Sequence, residues 1–391
     1  MNNKTFEGIK VLIVDGYARQ SLCMAKALKQ MNVFVAVICY SVFDVSYASR
    51  YPSKKILHKC DKQDISEQER FVIEEIKKGE YDLVIPMTDA SAMYLSKKKK
   101  ELEQYAKIAV EDWEKFVLAI DKLNTMRIGM NHNIRVPKTL CTTDPIGELD
   151  RGTLQFPVVV KPRTAAGSIG FNIVHNRQQL CLLLDHYDNA NGPLLIQEYI
   201  QQNGPQYGAE VFRDRNGIIK SCLIVKIPRW FPLDGGSRVL SISIHDGRIA
   251  KACKDLLNAI DWKGYANIDL VYDSINNEPV ILEINPRTGA SIKINFECGV
   301  NLAQLILENE LGYAVTDMTS YPDNKQVSCF LVDFLWFLKS KDRFRATPSW
   351  FNRIKIKDII FSWDNPLPFL AFCIQSIQYY RRAMKQRERK T

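Results

Sequence analysis

Asn267-Ile268-Asp269-Leu270-Val271-Tyr272, followed after a polar stretch by Ile281-Leu282-Glu283-Ile284-Asn285-Pro286-Arg287, reads as two strands joined by a turn at 274–277. Side chains alternate along a strand, so Glu283 and Asn285 share a face. Pairing the two strands brings Asp269 close to Glu283. Acidic side chains in runs this apolar need a partner. Magnesium fits, because it takes hard oxygen ligands, a few carboxylates and substrate phosphates. The spacing alone also allows a plainer reading, two acids on an exposed sheet face.

Upstream, Phe156-Pro157-Val158-Val159-Val160-Lys161-Pro162-Arg163 is a buried strand ending in a cation. The small-residue loop 164–170, with Gly167 and Ser168, follows it. A lysine leaving a strand can reach a phosphate as a point charge. A loop of Ala, Gly and Ser lets backbone N–H groups approach phosphate oxygens. It is not a Walker A loop, and by itself it also reads as a turn.

Outward from there, the first ~115 residues alternate strand-like runs (9–14, 33–38, 81–85) with helical stretches (21–30, 67–78). This rhythm predicts a parallel sheet covered by helices. Only Gly16 follows the first strand, so the dinucleotide cradle is absent. The lysine run 97–100 reads as the exposed face of a helix. Residues 120–195 predict a small α/β lid. Strands are expected at 194–200, 208–212, 218–226, 268–272 and 280–284. The last ~75 residues are rich in Trp and Phe, with two helix-like segments.

The chain has 391 residues, 46% of them hydrophobic and 25% charged, which is ordinary for a globular protein. Its ten cysteines form no CxxC pair and no zinc spacing, as in a cytosolic protein with reduced thiols. The five histidines form no set. No run reaches the ~18 apolar residues of a spanning helix. A cytoplasmic location is the expectation. The net charge is +9, and six Lys or Arg crowd 381–390. Such a tail suits an acidic surface or is simply solvated. It lacks interleaved aromatics, so nucleic acid is not the expected partner.

Taken in order, six pieces resemble the ATP-grasp superfamily. They are Asp121-Lys122-Leu123, Val136-Pro137-Lys138-Thr139, the Lys161 strand and loop, Leu195-Ile196-Gln197-Glu198-Tyr199-Ile200, Gly208-Ala209-Glu210-Val211 and Glu283-Ile284-Asn285-Pro286-Arg287. The Asp269-to-Glu283 spacing is similar to that of carbamoyl-phosphate-synthetase-like members. The resemblance implies an α/β fold: an N-terminal parallel-sheet pre-ATP-grasp domain (1–118), a two-lobed α+β ATP-grasp domain (119–315, lid about 137–195), and a small helical C-terminal extension (316–391). It implies ATP and two Mg2+ ions, replaceable by Mn2+, as cofactors. Lys122 and Lys161 would contact phosphates, with the Gly167 and Ser168 loop closing over them. Gln197, Glu198, Tyr199 and Ile200 would hold adenine, largely through backbone groups, with Glu198 accepting from its amino group. Glu210 would bind ribose. Asp269, Glu283 and Asn285 would hold metal, and Arg287 would face the γ-phosphate. Arg229 and Arg238, near Gly235 and Gly236, lie where relatives shape the acceptor pocket, and one of them is expected to pair with a substrate carboxylate.

Two departures stand out. The loop has fewer glycines than in many members, which stiffens it. Asp269 stands where others use Glu or Gln. The implied activity is ATP-dependent activation of a carboxylate as an acyl phosphate, captured by an amine to form a C–N bond. The expected substrates are a small-molecule or glycan-linked carboxylate and an amine. Trp363-Asp364-Asn365-Pro366-Leu367-Pro368 resembles a motif of stand-alone relatives in polysaccharide or small-metabolite pathways. The rival readings are bicarbonate activation and a non-catalytic ATP-binding protein. A homodimer and a weak membrane contact through the basic tail complete the expectations.

Overall fold

The computed structural model describes residues 4–140, 145–164, 170–185, 193–202, 204–233 and 236–388, with side chains to 377. Its first unit is a parallel sheet of β1 (Lys10–Ile13), β2 (Phe34–Cys39), β3 (Lys54–Leu57), β4 (Leu83–Ile85) and β5 (Lys107–Ile108), in the order β3-β2-β1-β4-β5. Alternation divides the strands between two cores. Val11, Ile13, Val35 and Val37 face one cluster, and Leu12, Val14, Ala36 and Ile38 the other. Burial on both faces is why these strands read as unbroken apolar runs. The short edge strands β3 and β5, rich in lysine, escaped the sequence reading. Helices α1 (Arg19–Gln30), α2 (Ile65–Lys77) and α3 (Asp89–Leu102) cover the sheet. Thr88 and Ser91 form a reciprocal cap at the start of α3. Of the lysine run in α3, Lys99 bonds the Val110 carbonyl and Lys100 pairs with Glu114.

After α4 (Trp113–Ile120) and α5 (Lys122–Asn131) comes a four-stranded sheet. It holds β6 (Thr139–Leu140), β7 (Val158–Pro162), β8 (Asn172–Val174) and β9 (Leu194–Glu198), ordered β6-β9-β7-β8. α6 (Pro145–Asp150) and α7 (Arg177–Asp185) belong to this lobe, and Leu149, Leu180 and Leu183 join its small core.

The third sheet has seven strands: β10 (Gln206–Arg213), β11 (Ile219–Phe231), β12 (Ser237–Ile244), β13 (Gly264–Asp273), β14 (Glu278–Asn285), β15 (Gln326–Ser328) and β16 (Ile356–Asp358). Their order is β14-β13-β10-β11-β12-β15-β16. Expectation ended β11 near Lys226, because Pro228 cannot donate to a ladder. The strand runs on through a register irregularity between Lys226 and Arg229, which absorbs the proline. β12 was not foreseen, although Leu240, Ile242 and Ile244 alternate with Ser241 and Ser243. α8 (Gly247–Ala259), α9 (Lys293–Glu297) and α10 (Leu302–Glu310) precede the Trp- and Phe-rich end. That end supplies α11 (Phe330–Lys339) and α12 (Leu367–Glu388), as well as the two strands that lengthen the large sheet. Ala371 is buried, and Phe369 and Phe372 pack on the main core, while Leu367, Leu370, Ile374 and Ile377 stay exposed. The basic side chains from Arg381 onward lie outside the described residues. No helix among the described residues is long and apolar enough to cross a membrane.

Candidate active site

A cleft of about 550 Å³ opens between the four-stranded and seven-stranded sheets. Lys161 of β7 and Ile173 of β8 line one wall, and Asp269, Glu283 and Asn285 the other. β13 and β14 pair as an antiparallel hairpin with Asp269 opposite Glu283 and Asn267 opposite Asn285. Leu270 then faces Ile281, so Leu282 is an extra residue in β14. The bulge lets Leu282 and Glu283 both line the cleft.

The acids do not stand alone. The Lys122 ammonium, at the start of α5, lies 3.2 Å from Glu283 Oε2. Asn285 Nδ2 donates to Asp269 Oδ2 at 3.0 Å. Burial acts to raise the Glu283 carboxyl, but Lys122 and Lys161 outweigh it and hold it at about 2. Burial brings the Lys161 ammonium down to about 8, with Glu283 opposing the fall. Burial likewise raises Asp269, against the pull of Arg238. Two acids and two lysines thus share one weakly solvated spot.

Behind this pair stands Arg238 of β12. Its Nη2 donates to Asn267 Oδ1 at 2.7 Å and to Asp269, and its Nη1 donates to Glu210 Oε1 at 2.8 Å. The guanidinium lies over Gly208, where a Cβ would come within 2.3 Å of Nη2. A residue without a side chain is what lets the arginine cross the sheet here. Glu210 is fully buried and also accepts from the Tyr265 hydroxyl. The ribose role expected of Glu210 is therefore corrected: its carboxylate is committed to Arg238 and Tyr265 beneath the cleft.

At the other end, Gln197, Glu198, Tyr199 and Ile200 all line the cleft. The Glu198 carboxylate is gripped by both terminal nitrogens of Arg135, at 2.9 and 2.8 Å, and accepts from Lys138 N at 3.0 Å. Gln197 Nε2 donates to the Thr139 hydroxyl at 2.7 Å. With both side chains spent inside the protein, Glu198 is not placed to accept from a base through its carboxylate. Gly167, Ser168 and Gly235 lie outside the described residues.

Arg229 is a second correction. It is 1% exposed and does not reach the cleft. Its guanidinium bonds Asp333 Oδ1 at 3.1 Å and the Pro348 carbonyl, and it stacks on Trp336. An arginine this buried must keep its counter-ion, so it is structural, and of the expected pair only Arg238 faces the cleft.

Arg287 lines the cleft, yet its Nε and Nη2 each hold Asp89 at 3.0 Å. Asp89 opens α3, just past β4, where the first sheet's strand order reverses between β1 and β4. Ligands of open α/β sheets gather at that point. That position was the available signal for Asp89, which sequence reasoning missed along with Asn267.

Comparison with known proteins agrees with this geometry. The family described as the ATP-grasp domain matches residues 119–291. A D-aspartate ligase of Enterococcus faecium is 26% identical over 263 residues, 62% of this chain and 62% of the relative. The arginine-specific carbamoyl phosphate synthase large chain of Geobacillus stearothermophilus is 28% identical over 176 residues, 42% of this chain and 16% of the relative. The chain thus spans less than two thirds of either relative. A biotin carboxylase structure from Campylobacter jejuni superposes with a TM-score of 0.67 at 16% identity, covering 81% of this chain and 74% of the other. That likeness speaks for the fold alone. The cleft between two sheets, the facing acid pair of β13 and β14, and the family match over 119–291 together make this chain a member of the ATP-grasp superfamily.

Proposed function

We propose that this chain is an ATP-dependent carboxylate–amine ligase, with residues 1–118, 119–315 and 316–391 as its three parts. The observation that carries this reading is the Asp269–Glu283 pair facing Lys122 and Lys161 across the cleft. A carboxylate attacking a triphosphate brings like charges together, and such a step needs fixed cations where the charge redistributes. Lys122 and Lys161 would exchange Glu283 for phosphate oxygens. The backbone of 197–200 would hold the base. Arg238, anchored by Glu210, keeps Asp269 turned toward the cleft and has its remaining N–H groups to offer a substrate carboxylate. Arg287 has donors left on both terminal nitrogens after binding Asp89.

Asp269, Glu283 and Asn285 supply hard oxygen donors within one small area, so Mg2+ fits them. When bound, two such ions would screen charge between the nucleotide and the incoming carboxylate. An amino acid is the first acceptor class to try, since one relative is named a D-aspartate ligase.

The direct test is ADP release with Mg·ATP across panels of carboxylates and amines, with product mass measured. A product heavier than the carboxylate by the amine less water is expected. ADP released at the same rate whatever carboxylate is supplied would sink the reading.

Asp89 gives a second test. Asp89→Ala is expected to lower kcat/KM about tenfold or more by freeing Arg287, since small misplacements cost this much. Adding Asp89→Ala to Arg287→Ala should then cost nothing further. Additive losses would mean that Asp89 acts elsewhere.

A further inference from the structure

α11 has the sequence Phe-Leu-Val-Asp-Phe-Leu-Trp-Phe-Leu-Lys, apolar almost all round, yet it sits at the surface. A helix of that composition is normally enclosed. Only one side is: Asp333 and Trp336 point inward, toward Arg229. Phe334, Leu335 and Leu338 are exposed on the other. The loop that follows adds to them. Phe344 is 69% exposed, Phe351 64% and Ile354 94%. The rings form one group: Phe337 contacts Phe344 and Phe351, each at 5.6 Å between centroids, and Phe344 faces Phe351 at 6.3 Å. Apolar residues gathered this way mark an interaction site rather than ordinary scatter.

Cations surround the group. Lys339, Lys341, Arg345, Lys355 and Lys357 are exposed, and Arg343 lies over the Phe344 ring at 5.2 Å. Between 339 and 357 the one acid is Asp342. Arg353 is turned inward to Asp333 and takes no part.

We propose that α11 and the 341–355 loop form a docking face for an anionic membrane surface. The charge on the rim is complementary to acidic headgroups, each cation near such a surface contributing about 1 kcal/mol. The apolar tips are suited to the acyl boundary, as in other peripheral anchors. Side chains as exposed as Ile354 project from the body, and a fluid bilayer accepts projecting tips without a matching cavity. The face does not involve the ATP-grasp cleft, so the proposal is independent of the ligase reading.

The test is sedimentation of the full-length protein with vesicles of phosphatidylcholine alone or mixed with phosphatidylglycerol. Pelleting is expected with the mixed vesicles at low salt, and release at high salt. A variant carrying Phe344→Asp, Phe351→Asp and Ile354→Asp should pellet about tenfold less or weaker still. Its melting temperature should be unchanged, because these tips touch little of their own chain. Deleting 379–391 should leave most of the binding intact. No pelleting of the full-length protein at low salt overturns the proposal. So does binding that survives the triple substitution or vanishes with the tail deletion alone. A dimer in light scattering that the triple substitution dissolves also overturns it, by giving the face to a second copy of the chain.

Discussion

Glu283→Gln is expected to lower ATP-dependent product formation by about a hundredfold or more, the scale of a lost charge at a reacting centre. That is about 2.7 kcal/mol of barrier. Glu283 is ionised throughout the working pH range, held at about 2 by Lys122 and Lys161. Replacing it with a neutral isostere removes a hard oxygen donor and the anion opposite Asp269. Stability should barely move, for two effects oppose each other. The pairing with Lys122 at 3.2 Å is lost, but so is repulsion against Asp269. The checks are steady-state kinetics and a thermal melt on the same preparation. Near-normal turnover would remove Glu283 from the chemistry, and a collapse of the melt would make it structural.

Lys161→Ala should weaken Mg·ATP binding about tenfold to a hundredfold, since a charge-assisted contact is lost from a partly dry site. Its effect on the nucleotide-free protein runs the other way. Burial brings the folded ammonium down to about 8, below the model value of 10.5. Between these values the unfolded chain binds the extra proton, so the wild-type protein gains stability as pH rises from about 8 toward 10.5. Below about 8 the buried charge is a standing cost, which Lys161→Ala removes. The variant should therefore melt no lower than wild type at neutral pH, and its melting temperature should lack the lysine's contribution to that alkaline rise. Calorimetric titration with Mg·ATP and melts across this range decide the matter. Unchanged ATP affinity would take Lys161 out of the nucleotide site.

What the sequence disclosed was whatever depends on near neighbours. Two apolar runs with Asp269 and Glu283 at interior positions fix a hairpin and its facing acids, because strand period and turn chemistry are local. The bulge at Leu282 was not legible, since one extra residue in a strand leaves no mark on an apolar pattern. Nor was the continuation of β11 past Pro228, where a local rule gave way to pairing with β12. The corrected roles share one cause. Arg229 and Asp333 are 104 residues apart, Arg135 and Glu198 are 63 apart, and Arg238 and Glu210 are 28 apart. A charged side chain reads as available until its distant counter-ion is known. The Trp- and Phe-rich end was noticed as composition, but only the fold separates Trp336, turned inward, from Phe344 and Ile354, turned out.

The bond between Asp89 and Arg287 bears on how this enzyme could be taken apart or recombined. The region matched by the ATP-grasp family begins at residue 119, and it would be natural to treat that region as a portable cassette. Arg287, though, is oriented from the first turn of α3, which belongs to the other unit. A chimera that borrowed its first unit from a relative would carry the triphosphate machinery whole and still misdirect one guanidinium, unless the donor supplied an acid at the same turn. In evolutionary terms the two units are tied by a single ion pair, so drift at Asp89 would be felt on the far side of the domain boundary.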